Sequence, residues 1–208
     1  LLSLGPPTGV TVAAGASPGD VVNAGFQVGR RVYQQVTGPL SRGYNVAASV
    51  LVGQALGRSD PAAARYDGCA TAALAAVSVG GVGLLLVAAA DPVVAALGFG
   101  SSPAALEFAA EFAVVYGVSA PGLALFVALS GALQGAGATR LPFLARLTGM
   151  VGFFVGFSSL AVTYTDLGVT GVYIGVALAH VWMGAAMVVA FRDADWAGTA
   201  AGLLRERG

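Results

Sequence analysis

Four stretches of the chain carry no charged residue and are long enough to span a bilayer: Gly68–Ala90 (23 residues), Phe112–Thr139 (28), Leu147–Thr165 (19) and Leu167–Phe191 (25). A helix needs about 20 apolar residues to cross a hydrocarbon core of about 30 Å. Lipid offers no hydrogen bonds to an exposed backbone, so a spanning segment is a helix or a strand of a closed barrel. None of the four shows the apolar–polar alternation of a barrel strand. Composition points the same way. Of 208 residues, 57% are apolar and 10% charged, with mean hydropathy +0.81, against roughly 25% charged in a soluble domain. Twenty charged side chains, ten of each sign, cannot cover a water-soluble protein of this size. The expected class is an all-α polytopic membrane helix bundle, which excludes a soluble enzyme or binding module.

A fifth span is predicted upstream. It ends in the apolar run Val46–Leu56 and carries Arg30, Arg31 and Arg42. The five spans are expected at about 23–57, 67–90, 109–138, 143–165 and 168–191. Residues 1–22, rich in Gly and Pro and containing Asp20, read as an irregular, truncated segment. The chain starts at Leu1 without a signal-peptide pattern and is read as a fragment of something longer. Residues 197–208 read as a tail.

The loops between spans set the orientation. Arg58 and Arg65 fall in one loop, Arg140 and Arg146 two loops later, and Arg192, Arg205 and Arg207 in the tail. The intervening loops hold Asp91, Glu107 and Glu111, then Asp166, and no cation. Short loops rich in arginine stay inside, so the arginine side and the C-terminus are expected to be cytoplasmic.

Glycine contributes 31 residues, including the pairs Gly25/Gly29, Gly53/Gly57, Gly131/Gly135, Gly152/Gly156 and Gly171/Gly175. Small residues let membrane helices approach closely, although this much glycine yields such pairs by chance. Pro39 and Pro121 lie inside predicted spans, where each removes a backbone donor and should kink its helix. A short internal echo pairs Gly53-Gln54-Ala55-Leu56-Gly57 with Leu133-Gln134-Gly135-Ala136-Gly137.

Polar groups inside a bilayer are costly and therefore informative. At 100° per residue, Arg31, Gln34, Gln35, Arg42, Asn45 and Ser49, with Gly38 between them, share one face of the first span. This stripe is the candidate lining of a wet substrate cavity; the alternative is packing against neighbouring helices, with Arg42 paired inside. His180, in the last span, is either a proton relay, since imidazole titrates near neutrality, or a packing residue with one hydrogen bond. Glu107 and Glu111 either attract cations or begin a helix. The spans hold no HExxH, no paired mid-depth carboxylates, no Ser/His/Asp set and no phosphate loop. The one cysteine, Cys69, rules out an internal disulfide. No catalysis, metal, cofactor or nucleic-acid partner is expected.

The stretch from Gly43 to Gly57, followed by a charged loop and an Ala-rich helix, resembles multidrug and toxic compound extrusion (MATE) transporters. The stretch from Gly131 to Pro142 is similar to their second signature. The matching residues are Gly53, Gln54, Gly57, Gln134, Gly135, Gly137, Arg140 and Pro142. The resemblance covers about Asn23 to Trp196 and fits the C-terminal of the family's two six-helix lobes. It implies cation-coupled antiport: sodium ions or protons enter while amphipathic, often cationic, organic compounds leave across the plasma (inner) membrane. It further implies a cavity between lobes, surrounding membrane lipid, and a missing N-terminal lobe without which the chain should not transport. One branch of the family carries a cation-binding carboxylate in the helix corresponding to Phe112–Thr139. Here Val118–Leu125 has no Asp or Glu, so the resemblance puts the coupling carboxylate in the absent half. Two other readings are a lipid-linked saccharide flippase of the same broad superfamily and a non-transporting scaffold subunit.

The topology is testable with single cysteines at positions 140 and 166 in a Cys69-free background of the intact protein. An impermeant maleimide added outside should label 166 and spare 140; the reverse pattern overturns the orientation.

Overall fold

Helix boundaries follow from two Pro-led caps and three left-handed turn residues. Asp60 accepts a hydrogen bond from the Ala63 amide at 2.9 Å with Pro61 next in line. Ser102 does the same for Ala105 at 3.3 Å, with Pro103 following. Each pair is a helix start: the side chain satisfies one orphan amide, and proline has no amide to lose. Ser59, Gly137 and Gly168 have positive φ (59°, 78° and 52°) and sit in the three tight turns.

The computed structural model describes residues 18–97, 102–193 and 196. Among them every element is helical: α1 Pro18–Gly57, α2 Pro61–Ala88, α3 Ala90–Leu97, α4 Pro103–Gly135, α5 Arg140–Tyr164 and α6 Val169–Asp193. Helices α2, α4, α5 and α6 are long and apolar enough to cross a membrane. Their outward faces expose Leu74, Val77, Leu85, Val181 and Val189, residues a soluble protein would bury. The molecule is an all-α polytopic membrane bundle.

The helices start earlier than the charge-free windows. α2 begins at Pro61 rather than 67 and α4 at Pro103 rather than 109. Charges end an apolar window but not a helix, so Arg65, Asp67, Glu107 and Glu111 ride on the terminal turns of α2 and α4. α1 likewise starts at Pro18, so 18–22 belong to it; residues 1–17 and 197–208 lie outside the described residues. The eight-residue α3 is an addition. α1 and α4 remain helical through Pro39 and Pro121. Pro121 cannot donate to the Gly117 carbonyl one turn back. That carbonyl instead meets Gly83 of α2, where an added Cβ would lie 2.6 Å from its oxygen.

α4 is the hub. It runs antiparallel to α2 (Gly80 against Pro121, Gly83 against Gly117) and parallel to α6 (Gly122 against His180 and Gly184). It also runs parallel to α1 over nearly its whole length. Gly29 meets Ala109, Tyr33 stacks on Tyr116 at 5.3 Å, Asn45 meets Gly131 and Ser49 meets Gly135. On α1 these contacts climb every fourth residue: 25, 29, 33, 45, 49 and 53. Such a row circles the helix slowly, because four residues overshoot one turn by about 40°. α1 is too polar to qualify as an apolar span, yet it lies alongside one that does.

Three of the five glycine pairs are interfaces. Gly25/Gly29 seat Phe108 and Phe112, Gly131/Gly135 seat Asn45 and Ser49, and Gly171/Gly175 seat Ala161 and Ser158. Gly57 and Gly152 meet nothing within 4 Å.

The tightest contact sets a test. A Cβ at Gly131 would collide with the Asn45 backbone, whereas one at Gly81 meets nothing within 4 Å. Gly131→Val should lower stability of the intact protein by about 1–3 kcal/mol, the usual range for overpacking, while Gly81→Ala stays near the parent. Equal melting temperatures for Gly131→Val and the parent, in detergent, would contradict the α1–α4 contact.

Candidate functional site

α1, α4, α5 and α6 enclose a cavity of about 340 Å³. Aromatic rings from three helices build part of its wall, beside aliphatic side chains such as Leu123, Val176 and Met183. Phe26 stands edge-on to Phe112 at 5.2 Å and stacks on Phe154 at 5.7 Å. Tyr33 stacks on Tyr116, whose ring lies 5.5 Å from that of His180. Phe26 and Tyr33 are seven residues apart and so share a face of α1. Phe154 and Met150 come from a stretch of α5, Gly149–Phe157, that winds as a π-helix. π-helical turns are rare and are found often at functional sites. The run Gly-Met-Val-Gly-Phe-Phe-Val-Gly-Phe is poor in strong helix formers, which weakens the α-helical alternative there.

Two cations line this cavity. Arg30 carries its guanidinium 6.0 Å from the centre of the Phe26 ring. Arg146 reaches it from α5. Sequence reasoning placed Arg146 in a loop, but the helix starts at Arg140 and takes Arg146 into the wall. His180 is 9% exposed, and its Nδ1 lies 2.9 Å from Ser119 Oγ. That is a packed imidazole holding one hydrogen bond. The Tyr33 hydroxyl is buried with no hydrogen-bond partner; Thr37 Oγ1, one turn on, donates to the Tyr33 backbone carbonyl at 2.8 Å.

A second, polar groove of about 280 Å³ opens on α1, lined by Arg31, Gln34, Gln35, Gly38, Pro39 and Arg42. Gln34 also lines the aromatic cavity, so the two spaces share a wall. Four residues of the predicted stripe therefore come together: Arg31, Gln34, Gln35 and Arg42. Asn45 and Ser49 do not line the groove. The Asn45 amide donates to the Val127 carbonyl at 2.8 Å, and Ser49 packs its backbone on Gly135. The cause is the fourfold contact row on α1, which has turned onto the stripe's side of the helix by Asn45. A fixed angle of 100° per residue describes which side chains share a face, not which face the neighbour covers.

The motif residues are helix ends rather than cavity walls. At the end of α4 the Ala138 amide donates to Leu133 and the Gly137 amide to Gln134, at 2.8 and 3.0 Å. At the end of α1 the Asp60 amide donates to Ala55 and the Ser59 amide to Leu56, at 3.0 and 2.9 Å. Both are Schellman closures around a left-handed residue. They equate Ser59 with Gly137, two residues off the register in which Gln54 matches Gln134. A Cβ added to Gly53 would lie 3.5 Å from the Gly135 carbonyl oxygen, and Pro142 is buried, while Gln54, Gly57, Gln134 and Arg140 are exposed. At the far end of α4, Tyr173 donates to the exposed Glu111 carboxylate. No three His, Cys, Asp or Glu side chains gather to hold a metal among the described residues.

The chain is similar to known proteins in sequence and in fold. The chain is 37% identical over 168 residues to "Probable multidrug resistance protein NorM" from Rhodopseudomonas palustris (strain ATCC BAA-98 / CGA009), a match covering 76% of this chain and 35% of that protein. The eukaryotic MATE transporter AtDTX14 superposes with a TM-score of 0.75 at 21% identity, over 91% of this chain and 42% of that one. The chain thus spans about a third of the bacterial relative's length. The sequence model of the MatE family matches residues 9–160, and the chain belongs to that family.

Proposed function

We propose that the chain is the C-terminal lobe of a cation-coupled exporter of amphipathic organic compounds in the plasma (inner) membrane. The observation that carries this reading is the aromatic cavity of about 340 Å³ opening beside a polar groove, in a chain of the MatE family. Aromatic walls give apolar ligands a large contact area, and a few polar groups orient them. A second lobe of the same protein covers the exposed stripe of Arg31, Gln34, Gln35 and Arg42, and lipid covers the outer faces of α2 and α6. Sodium ions or protons supply the driving force. The arginine-bearing loops are taken as the inner side, so α1 and α4 run inward on this reading and the Schellman ends and C-terminus are cytoplasmic. On this reading the coupling carboxylate belongs to the other lobe, which is supported by linings of both spaces that contain no Asp or Glu.

Flux in proteoliposomes of the intact protein tests this. An imposed sodium or proton gradient should drive uptake of an aromatic amphipath into inside-out vesicles, and collapsing the gradient should abolish it. Arg42→Ala, at an exposed groove residue, should change that flux several-fold at normal protein abundance. Glu111→Gln should leave gradient dependence intact. Flux indifferent to both gradients would refute cation coupling, and loss of coupling in Glu111→Gln would put the coupling site in this chain.

A further inference from the structure

α2 and α6 both lie against α4, α2 through Gly80 and Gly83 and α6 through Gly122 and Gly184. At the end where α2 begins and α6 finishes they also reach each other. Phe191, in the last turn of α6 and 2% exposed, fills the space that a side chain at Gly68 of α2 would need. The indole of Trp196, three residues beyond Asp193, reaches back to the Phe191 ring at 4.7 Å between centroids, and its Nε1 donates to the Phe191 carbonyl at 2.9 Å. Arg65 of α2 holds its guanidinium 5.3 Å from the centre of the Trp196 ring. It also donates to the carbonyls of Phe191 and Arg192, at 3.4 and 3.3 Å.

The last carbonyls of a helix have no amide partner within it and sit at the negative end of its dipole. Here the cation that caps them comes from a neighbouring helix, so the cap is also a tie between the two. Arg65 and Gly68 are three residues apart and share a face of α2. The contacts run from Gly68 to Phe191, on to Trp196 and back to Arg65, a ring of side chains that leaves α2 and returns to it around the end of α6. Trp is rarely buried completely, yet Trp196 is 4% exposed, with Phe191 and Arg65 against it. The ring is nonetheless weaker than the glycine seams. Its Arg65 bonds lie beyond the usual range of roughly 2.7–3.2 Å, and a cation over a partly wet aromatic face is a modest attraction. A seam of backbone on backbone parts only when a helix moves, whereas side chains part by changing rotamer. The position of α6 is carried into the cavity, because α6 supplies Val176, Ala179, His180 and Met183 to its lining and Met183 packs against Gly149 of α5.

We infer that Arg65 and Trp196 form a clasp that sets the position of the α6 end. Closed, it ties α6 to α2 and holds the α6 and α5 walls of the cavity as they stand here. Open, it frees the second half of α6, from Met183 on, to lean away from α2 and to take the Gly149 contact of α5 with it. No residue of the clasp lines the cavity, so it acts on how readily the walls rearrange and not on the contacts a ligand makes there. Its part in transport rests on the export reading; the clasp itself is measured without flux.

The test is a distance measurement by pulsed electron spin resonance on the intact protein in nanodiscs. Spin labels go on Ala62→Cys of α2 and Val189→Cys of α6, both exposed, with Cys69→Ser in an otherwise cysteine-free background. The parent should give one main distance. Trp196→Ala and Arg65→Gln should each add a longer one, raising the ratio of open to closed molecules about tenfold, the size of one lost charge-assisted contact. The double variant should open little further than either single one, because both changes remove the same clasp. In proteoliposomes, either variant should change the maximal gradient-driven flux of tetraphenylphosphonium several-fold and leave its half-saturating concentration near the parent's. Distances that superpose on the parent's in both variants overturn the clasp, as does a lower melting temperature with unmoved distances, the mark of a helix cap alone. Unchanged maximal flux beside a longer distance overturns its link to the cavity. If Trp196→Ala fails to accumulate, Trp196→Phe, which keeps a ring and loses the Nε1 donor, decides by the same distances. A longer distance in the variants with no gradient-driven flux in the parent would sustain the clasp and refute the export reading; normal flux with unmoved distances would do the opposite.

Discussion

The parallel contact between α1 and α4 is the constraint on which the rest of the molecule depends. Gly131 and Gly135 bring α4 against the backbone of Asn45 and Ser49 with no room for a side chain. In lipid there is little hydrophobic drive between helices, so close packing and interhelical hydrogen bonds hold them together. The Asn45 amide adds such a bond to Val127. With α1 fixed at that end, the outer half swings Phe26 toward Phe154 and Tyr33 onto Tyr116. The cavity lies beside this close α1–α4 seam and is completed by side chains of α5 and α6.

Glycine at Gly122 and Gly184 extends the same logic to α6, whose backbone passes the α4 backbone at that level. The close approach sets His180 beside Ser119. α4 consequently meets three neighbours through small residues on three sides, which leaves it 56% buried over its most apolar window, against 17% for α5. α5 is held mainly by α6, through Gly149 against Met183 and Gly171 against Ala161. The most loosely held wall of the cavity is therefore also the one wound as a π-helix.

Much of this was legible in the sequence. Charge-free windows located α2, α4, α5 and α6 but put the starts of α2 and α4 too late, at 67 and 109 rather than Pro61 and Pro103. The polar stripe identified Arg31, Gln34, Gln35 and Arg42 as neighbours in one groove. Asn45 and Ser49 were misplaced because periodicity holds the angle constant while a fourfold packing row moves the contact around the helix. The aromatic cavity was not legible at all. Phe26, Tyr116, Phe154 and Arg146 lie on three helices, and nothing in one sequence ties their heights together. The seven-residue spacing of Phe26 and Tyr33, next to Arg30, was the one local signal. The π-helical stretch had only its three glycines and three phenylalanines to announce it.

The length of α1 has a mechanical consequence. Forty residues rise about 60 Å, roughly twice the hydrocarbon thickness of a bilayer. A helix so mismatched meets the membrane by tilting or by projecting from it, and local thickness sets the balance. Its depth is governed by Arg30, Arg31 and Arg58, which seek water or headgroups, while α4 holds its inner half. Thinning or thickening the bilayer thus bends the load onto the segment around Pro39, where one backbone hydrogen bond is already absent. Lipid chain length becomes a physical input to the spacing between Arg30 and Arg146.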